Sequence, residues 1–234
     1  MKTKTFLIGF FGFLIASSCE KDKKYEPDCS LGHCVNVGIR GVLHVNPSGK
    51  KLSNVPVEVF FVSKNPHHWF APTPKVASGR TNKDGVFNFN VTIDTSFFAT
   101  HNLTVRVPCQ KDYLSTWLEH EYITQSFRDY DEKMLRNINF EFYIRTTLTI
   151  IYTRTEIDHY GGFHVEACFD NRCALVVIDR MPELGTERVR QFETAADIYT
   201  KITWIKANNA VDRETFVDSL IPRRNENNVF IINY

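Results

Sequence analysis

Across residues 37–144 the dominant pattern is apolar side chains at alternate positions, the period of a strand with one buried face and one wet face. Val55, Val57, Val59 and Phe61 share one such face. Phe87, Phe89, Val91 and Ile93 share another, with Asn88, Asn90 and Thr92 opposite, and Leu103, Val105 and Val107 repeat the pattern, as do Ile138, Phe140, Phe142 and Ile144. Between them stand Asn46-Pro47-Ser48-Gly49 and Asn82-Lys83-Asp84-Gly85. Such residues make corners, because Gly and Asn tolerate left-handed backbone and Pro presets φ. Short alternating strands joined by turns predict an antiparallel β-sandwich.

A second β-unit is predicted from Arg145 onward, opening with a strand at 147–154. Its clearest element is a hairpin with a two-residue turn at Asp170-Asn171. That turn pairs Phe169 with Arg172, Cys168 with Cys173, Ala167 with Ala174, Glu166 with Leu175, Val165 with Val176, His164 with Val177 and Phe163 with Ile178. Further strands are expected at 191–193, 199–206 and 228–234, and no repeat between the halves is visible beyond their β character. The expected architecture is all-β: two tandem antiparallel sandwiches, 37–145 and 146–234, the first carrying an insertion at 110–136 with a short helix.

The N-terminus is a separate unit. Lys2 and Lys4 precede an uncharged run at 5–18 (TFLIGFFGFLIASS), then Cys19, then Glu20-Lys21-Asp22-Lys23-Lys24. A basic start, a short apolar stretch and small residues before a cut mark an export signal. Fourteen residues are too few to cross about 30 Å of hydrocarbon as a helix. Ile15-Ala16-Ser17-Ser18-Cys19 resembles the lipobox of bacterial lipoproteins, in which the cysteine is diacylated and becomes the new N-terminus. It departs from the usual Leu at Ala16, and Ala16 with Ser18 also suits plain signal cleavage at the same bond. The expectation is a signal peptide at 1–18 and a lipid-anchored tether at 19–36. The corresponding location is the bacterial cell envelope, at the outer membrane.

Charge and cysteines narrow the picture. Without Lys2 and Lys4 the 28 basic residues become 26 against 27 acidic ones, which leaves no electrostatic footprint for nucleic acid. With Cys19 assigned to lipid, Cys29, Cys34, Cys109, Cys168 and Cys173 remain. In an oxidising compartment, spacing favours Cys29–Cys34 and Cys168–Cys173 as disulfides and leaves Cys109 unpaired.

The stretch Gly41-Val42, then residues 49–59 (GKKLSNVPVEV), then residues 81–89 (TNKDGVFNF) resembles the carboxypeptidase regulatory-like, transthyretin-type β-sandwich of many cell-surface proteins. The likeness spans residues 37–108 and extends toward 145. In that family the domain is not catalytic; it packs on neighbours or presents loops, so the resemblance supplies no catalytic residue.

Candidate chemistry is sparse. Loop 64–74 holds His67, His68, Trp69 and Phe70 between prolines, a set able to meet a sugar face, a peptide or a metal, although adjacent histidines on extended chain point apart. His164 and Glu166 lie two apart on the outer face of the hairpin, with Asp158 and His159 upstream and no third ligand fixed. G-x-S-x-G, H-E-x-x-H and glycine-rich phosphate loops are absent from the sequence. These features predict a non-enzymatic binding, adhesion or assembly module with no cofactor or metal, a membrane contact through lipid, and a protein or glycan partner. The alternatives are a metal-dependent hydrolase using the histidines of loop 64–74 or of the 163–178 hairpin, and a protease inhibitor.

Overall fold

The computed structural model describes residues 24–65, 73–114, 122–170, 172–180, 183–209 and 211–234. Among these the chain forms strands β1 (Cys34–Asn46), β2 (Lys50–Lys51), β3 (Pro56–Ser63), β4 (Lys75–Arg80), β5 (Val86–Asp94), β6 (His101–Pro108), β7 (Tyr113–Leu114) and β8 (Tyr122–Phe127). A one-turn helix α1 (Glu132–Leu135) follows. Then come β9 (Ile138–Thr153), β10 (Gly162–Phe169), β11 (Arg172–Arg180), β12 (Glu187–Ala195), β13 (Thr200–Ala207), β14 (Arg213–Leu220) and β15 (Asn228–Asn233).

The strands make two sandwiches. In the first, sheet β4-β3-β6-β8 faces a sheet built on β5, β1 and β9. Its core includes Val37, Ile39, Leu43, Val57, Val59, Phe61, Phe87, Leu103, Val105, Ile138, Phe140 and Phe142. In the second, sheet β11-β10-β13-β14 faces β12-β9-β15, around Leu148, Ile150, Tyr152, Phe163, Val165, Ala167, Ile202 and Ile232. The buried positions are the ones that period-two alternation marks, because side chains on a pleated strand point alternately to opposite faces.

The two sandwiches share one topology. Count seven strands in each half: β1, β3, β4, β5, β6, β8 and β9, then β9 through β15. In both halves one sheet has the order four-one-seven and the other three-two-five-six. In both, strands one and seven pair in parallel and the remaining pairs are antiparallel. Each strand two also shifts register against strand three after its fourth residue, at Val59/Phe60 and at Val165/Glu166. The sequence shows no such repeat, because the topology asks only for alternation and turns, which many residue choices satisfy.

Strand β9 closes the first sandwich and opens the second. Ile138 to Tyr143 pair with β1, and Arg145 to Thr153 pair with β12, so the boundary expected at 145/146 falls inside a continuous strand. Gly41 sits where β1 pairs with both β5 and β9. A Cβ there would lie 2.5 Å from the Phe87 ring and 2.6 Å from the Ile138 carbonyl oxygen, so only glycine fits.

Three expectations need correction. The tether expected at 19–36 is folded from Lys24 onward: Lys24 bridges to Lys75, Tyr25 is buried, and β1 begins at Cys34. The insertion expected at 110–136 supplies β8, which pairs with β6 from Leu103↔Phe127 to Pro108↔Tyr122 and so belongs to the sandwich; α1 is its short helix. The hairpin holds the expected register from Phe169↔Arg172 to Glu166↔Leu175, then slips by one at a bulge, so that Val165 faces Val177 and His164 faces Ile178.

Tyr25 gives the first correction its physical content. Its hydroxyl accepts the Asp94 backbone N–H at 2.8 Å, and its ring lies 4.9 Å from Phe61 and 5.4 Å from Phe97. Tyr25→Phe removes that acceptor from a buried amide and should cost about 1–2 kcal/mol. Tyr25→Ala also opens a cavity and should cost about 3–5 kcal/mol. Urea denaturation followed by near-ultraviolet dichroism measures both; a Tyr25→Ala variant as stable as the wild type would return this segment to the role of a loose tether.

Candidate functional site

Cys19 and the loop residues His67, His68, Trp69 and Phe70 lie outside the described residues. The scaffold from which that loop departs is an aromatic cluster at one end of the first sandwich. Phe61 packs at 5.0 Å from Phe97 and 5.6 Å from Phe98, and His101 stacks on Phe97 at 4.6 Å. Lys64, the first residue of the loop, donates from Nζ to the carbonyls of Phe98 at 2.6 Å and Arg128 at 3.0 Å. Sequence reading missed Tyr25, Phe97 and His101 here, because they fall outside the alternating stretches.

The hairpin residues are placed on the strand face where they were expected. His164 Nε2 lies 3.2 Å from Glu166 Oε1, and Glu166 Oε2 lies 3.9 Å from Cys168 Sγ. Glu166, Cys168 and Cys173 fall within 4.8 Å of one another, but the two sulfurs are bonded to each other as a disulfide and are not free to ligate. Cys29 and Cys34 form the other disulfide, and the half-buried Cys109 belongs to neither. Asp158 and His159 have partners of their own: His159 Nε2 meets Asp212 Oδ1 at 3.1 Å, and Asp158 takes Arg154 and Lys206, each at 3.1 Å. Of the acidic residues at 129–132, Asp131 serves the backbone, its Oδ1 accepting the Met134 N–H that starts α1.

Two partly buried ion clusters shift the titration of their members. On β3, Glu58 meets Lys75 Nζ at 3.0 Å and Arg106 at 2.8 Å, while the Arg106 guanidinium covers the rings of Phe60 and Tyr122. Burial pushes the Glu58 carboxyl up, but the hydrogen bonds from Lys75 and Arg106 outweigh it and hold the group below the usual carboxylate range. In the second sandwich, Lys206 Nζ bridges Asp158 at 3.1 Å and Glu214 at 3.2 Å, over the rings of Tyr160 and Phe216. Burial raises Asp158 and lowers Lys206, yet their mutual hydrogen bond prevails, leaving Asp158 below and Lys206 above their ordinary values.

A shallow depression of about 260 Å³ lies on the outer face of β1 and β5, lined by Asn36, Gly38, Asn90, Thr92 and Arg136. Thr92 Oγ1 donates to Asn36 Oδ1 at 2.7 Å, and Arg136 pairs with Glu132. The depression offers hydrogen bonds but no arrangement of nucleophile and base. Among the described residues no helix is long and apolar enough to cross a membrane.

No family model matches the chain, and no curated protein matches it. Among solved structures it is similar to the shaft pilin SpaA of Lactobacillus rhamnosus GG, at 10% identity and a TM-score of 0.34, over 85% of this chain and 98% of that one. It is also similar to the TIE protein of Bacillus anthracis, at 12% identity and 0.32, over 86% of this chain and 34% of that one, so it spans about a third of that protein. A streptococcal ancillary pilin matches at 12% identity and 0.31, over 85% of this chain and 62% of that one. Superpositions this loose carry no argument about function.

The Lys206 cluster predicts a pH signature. Asp158 is depressed, so its stabilisation is present above the unfolded value near 3.9 and is lost as pH falls through the lower folded value. Lys206 is raised, so its share is present below about 10.4 and is lost as pH rises through the folded value. Lys206→Met should therefore cost about 1–2 kcal/mol at neutral pH, with the difference from wild type shrinking below about pH 4. Urea midpoints measured from pH 2 to 9 check this; a difference that stays constant down to pH 2 contradicts it.

Proposed function

We propose that the chain is a non-enzymatic lipoprotein of the bacterial cell envelope. In this reading lipid on Cys19 holds it to the outer membrane, and its two sandwiches form a binding, adhesion or assembly module for a protein or glycan partner. The observation that carries the reading is how soon folding begins after the lipobox-like cysteine: Tyr25, six positions beyond Cys19, is already part of the first core. At about 3.3–3.6 Å per extended residue, that leash reaches roughly 20 Å. A one-point anchor so close to the core holds the aromatic end of the first sandwich near the lipid and directs the second sandwich away from it.

The polar chemistry among the described residues supports a structural role. Glu58, Asp158, Asp212 and Lys206 each have a named structural partner, and the acid–sulfur group on the hairpin is occupied by a disulfide. A zinc hydrolase needs at least three ligands and an open position; on the hairpin, His164 lies 3.2 Å from Glu166 and the adjoining sulfurs are bonded to each other. The resemblance of residues 37–108 to the carboxypeptidase regulatory-like sandwich points the same way, since that domain presents loops and surfaces to neighbours.

Replacing Cys19 with Ala should move the protein from the membrane pellet to the soluble fraction of the envelope, with the fold unchanged by circular dichroism. Retention of Cys19→Ala in washed membranes would remove the anchor and the reading built on it.

A further inference from the structure

Because the sandwiches share a topology, each outward position in one has a counterpart in the other. Gly41, where β1 first meets β9, corresponds to Leu148, where β9 first meets β15. His44 therefore corresponds to Ile151, Asn139 to Val229 and Glu141 to Ile231. In the first sandwich this outer face is polar, with His44 and Glu141 4.0 Å apart. In the second, Val189, Ile151 and Ile231 are direct neighbours across β12, β9 and β15, with Val229 beside them. Val189 is 46% exposed, Ile231 61% and Val229 38%. The same backbone carries polar residues in one copy, so the fold itself does not require this apolar row. Contiguous exposed apolar side chains of this kind mark contact surfaces.

The row ends at an open strand edge. Among the described residues β15 pairs only with β9, and its sequence, Asn-Val-Phe-Ile-Ile-Asn, contains no charge and no proline, the usual devices that keep an edge unpaired. By contrast, β14 carries Arg213, Glu214 and Asp218, and β12 carries Glu187, Arg188, Arg190 and Glu193. The counterpart edge in the first sandwich is covered at its far end. There β7 adds to β9 as an antiparallel strand, Leu114 against Tyr143, and Tyr143 corresponds to Asn233.

We propose that β15 pairs antiparallel with β15 of a second copy of this chain, about a two-fold axis at Ile231. In a two-fold pair whose sheet continues, directly opposed residues share a face, so the axis passes through a residue. An axis at Ile231 pairs residues 228–234 over their whole length. It sets Ile231 against its mate and Val229 against Asn233 on the outer face, and Phe230 against Ile232 on the inner one. No like charges meet. The two three-stranded sheets become one of six strands, and the apolar row runs unbroken from Val189 through the axis to Val189 of the other copy. A different chain could add to this edge, but the uncharged strand and the apolar row complement themselves.

Cysteine cross-linking of the purified full chain, under mild oxidation, reads the register directly. Ile231→Cys should give a disulfide-linked dimer on non-reducing gels, and Val189→Cys, which lies far from its mate, should not. Val229→Cys and Asn233→Cys should each stay monomeric alone and cross-link when co-expressed. Detergent-solubilised wild type should sediment as a dimer, and Ile231→Lys, which opposes two ammonium groups, as a monomer. Ile231→Thr, a gentler change at the same exposed position, should weaken the dimer at least tenfold with the melting curve of the monomer preserved. A monomeric wild type, no Ile231→Cys cross-link, or no cross-link between Val229→Cys and Asn233→Cys would overturn the proposal. These readouts are independent of lipid on Cys19, so they stand or fall separately from the envelope reading.

Discussion

Strand β9 passes through both hydrophobic cores in a single register. Its even-numbered residues point inward throughout: Ile138, Phe140 and Phe142 into the first core, then Leu148, Ile150 and Tyr152 into the second. Each residue commits the next, because a slip of one position would turn every one of these side chains to the wrong face in both halves at once. The same strand is the last of one seven-strand set and the first of the next, so its register ties the two copies of the topology together. Its neighbours reinforce that tie on both edges, with β1 and β7 on the first half and β12 and β15 on the second.

The junction adds a small core of its own. Tyr143 is an odd-numbered residue and so faces away from the main cores, yet it is fully buried, because Leu114, Phe169 and Ala195 close over it. The Tyr143 ring lies 5.4 Å from Phe169, and its hydroxyl donates to the Asp170 carboxylate at the tip of the disulfide-closed hairpin. The Ala196 N–H donates to the Ile144 carbonyl at 2.8 Å, and Arg145 reaches Glu193 at 2.6 Å. The hairpin that carried the clearest signal in the second half thus serves as the plug between the halves, and the Cys168–Cys173 bond holds its tip in shape. This use of the 163–178 hairpin is structural, in keeping with His164 and Glu166 pairing with each other.

The all-β class, the inward residues and the close cysteine pairs were legible because each follows from a local rule: alternation, turn chemistry or spacing. What was not legible depended on long-range pairing. Arg145 and Thr146 look like a linker in sequence, and only the ladder with Ala195 and Thr194 makes them strand. Strand β8 was hidden for a similar reason: Tyr122 to Phe127 mix polar and apolar residues, and among the described residues only the ladder with β6 makes them strand. Strand β14 is exposed along most of its length, so its sequence carries little alternation. The bulge at Val165/Glu166 is invisible locally: the turn and the cysteine pair set the register at the tip, and nothing in the sequence marks the slip that sets Phe163 opposite Asp179. Of the candidate site residues, the sequence located His164 and Glu166 correctly on one face and set Cys168 opposite Cys173, where the structure has the disulfide. The aromatic cluster of Tyr25, Phe61, Phe97 and His101 draws on four separate segments, which no periodicity connects.

Native-state hydrogen exchange across residues 144–148 tests the shared strand most directly. If β9 is one continuous strand, the amides that pair with β12 there should exchange as slowly as those of Leu148 to Tyr152 inside the second core, and should open only in the same global unfolding event. Exchange at the rate of an open linker, with the amides on either side still protected, would mean that the halves are independent domains joined by a flexible hinge.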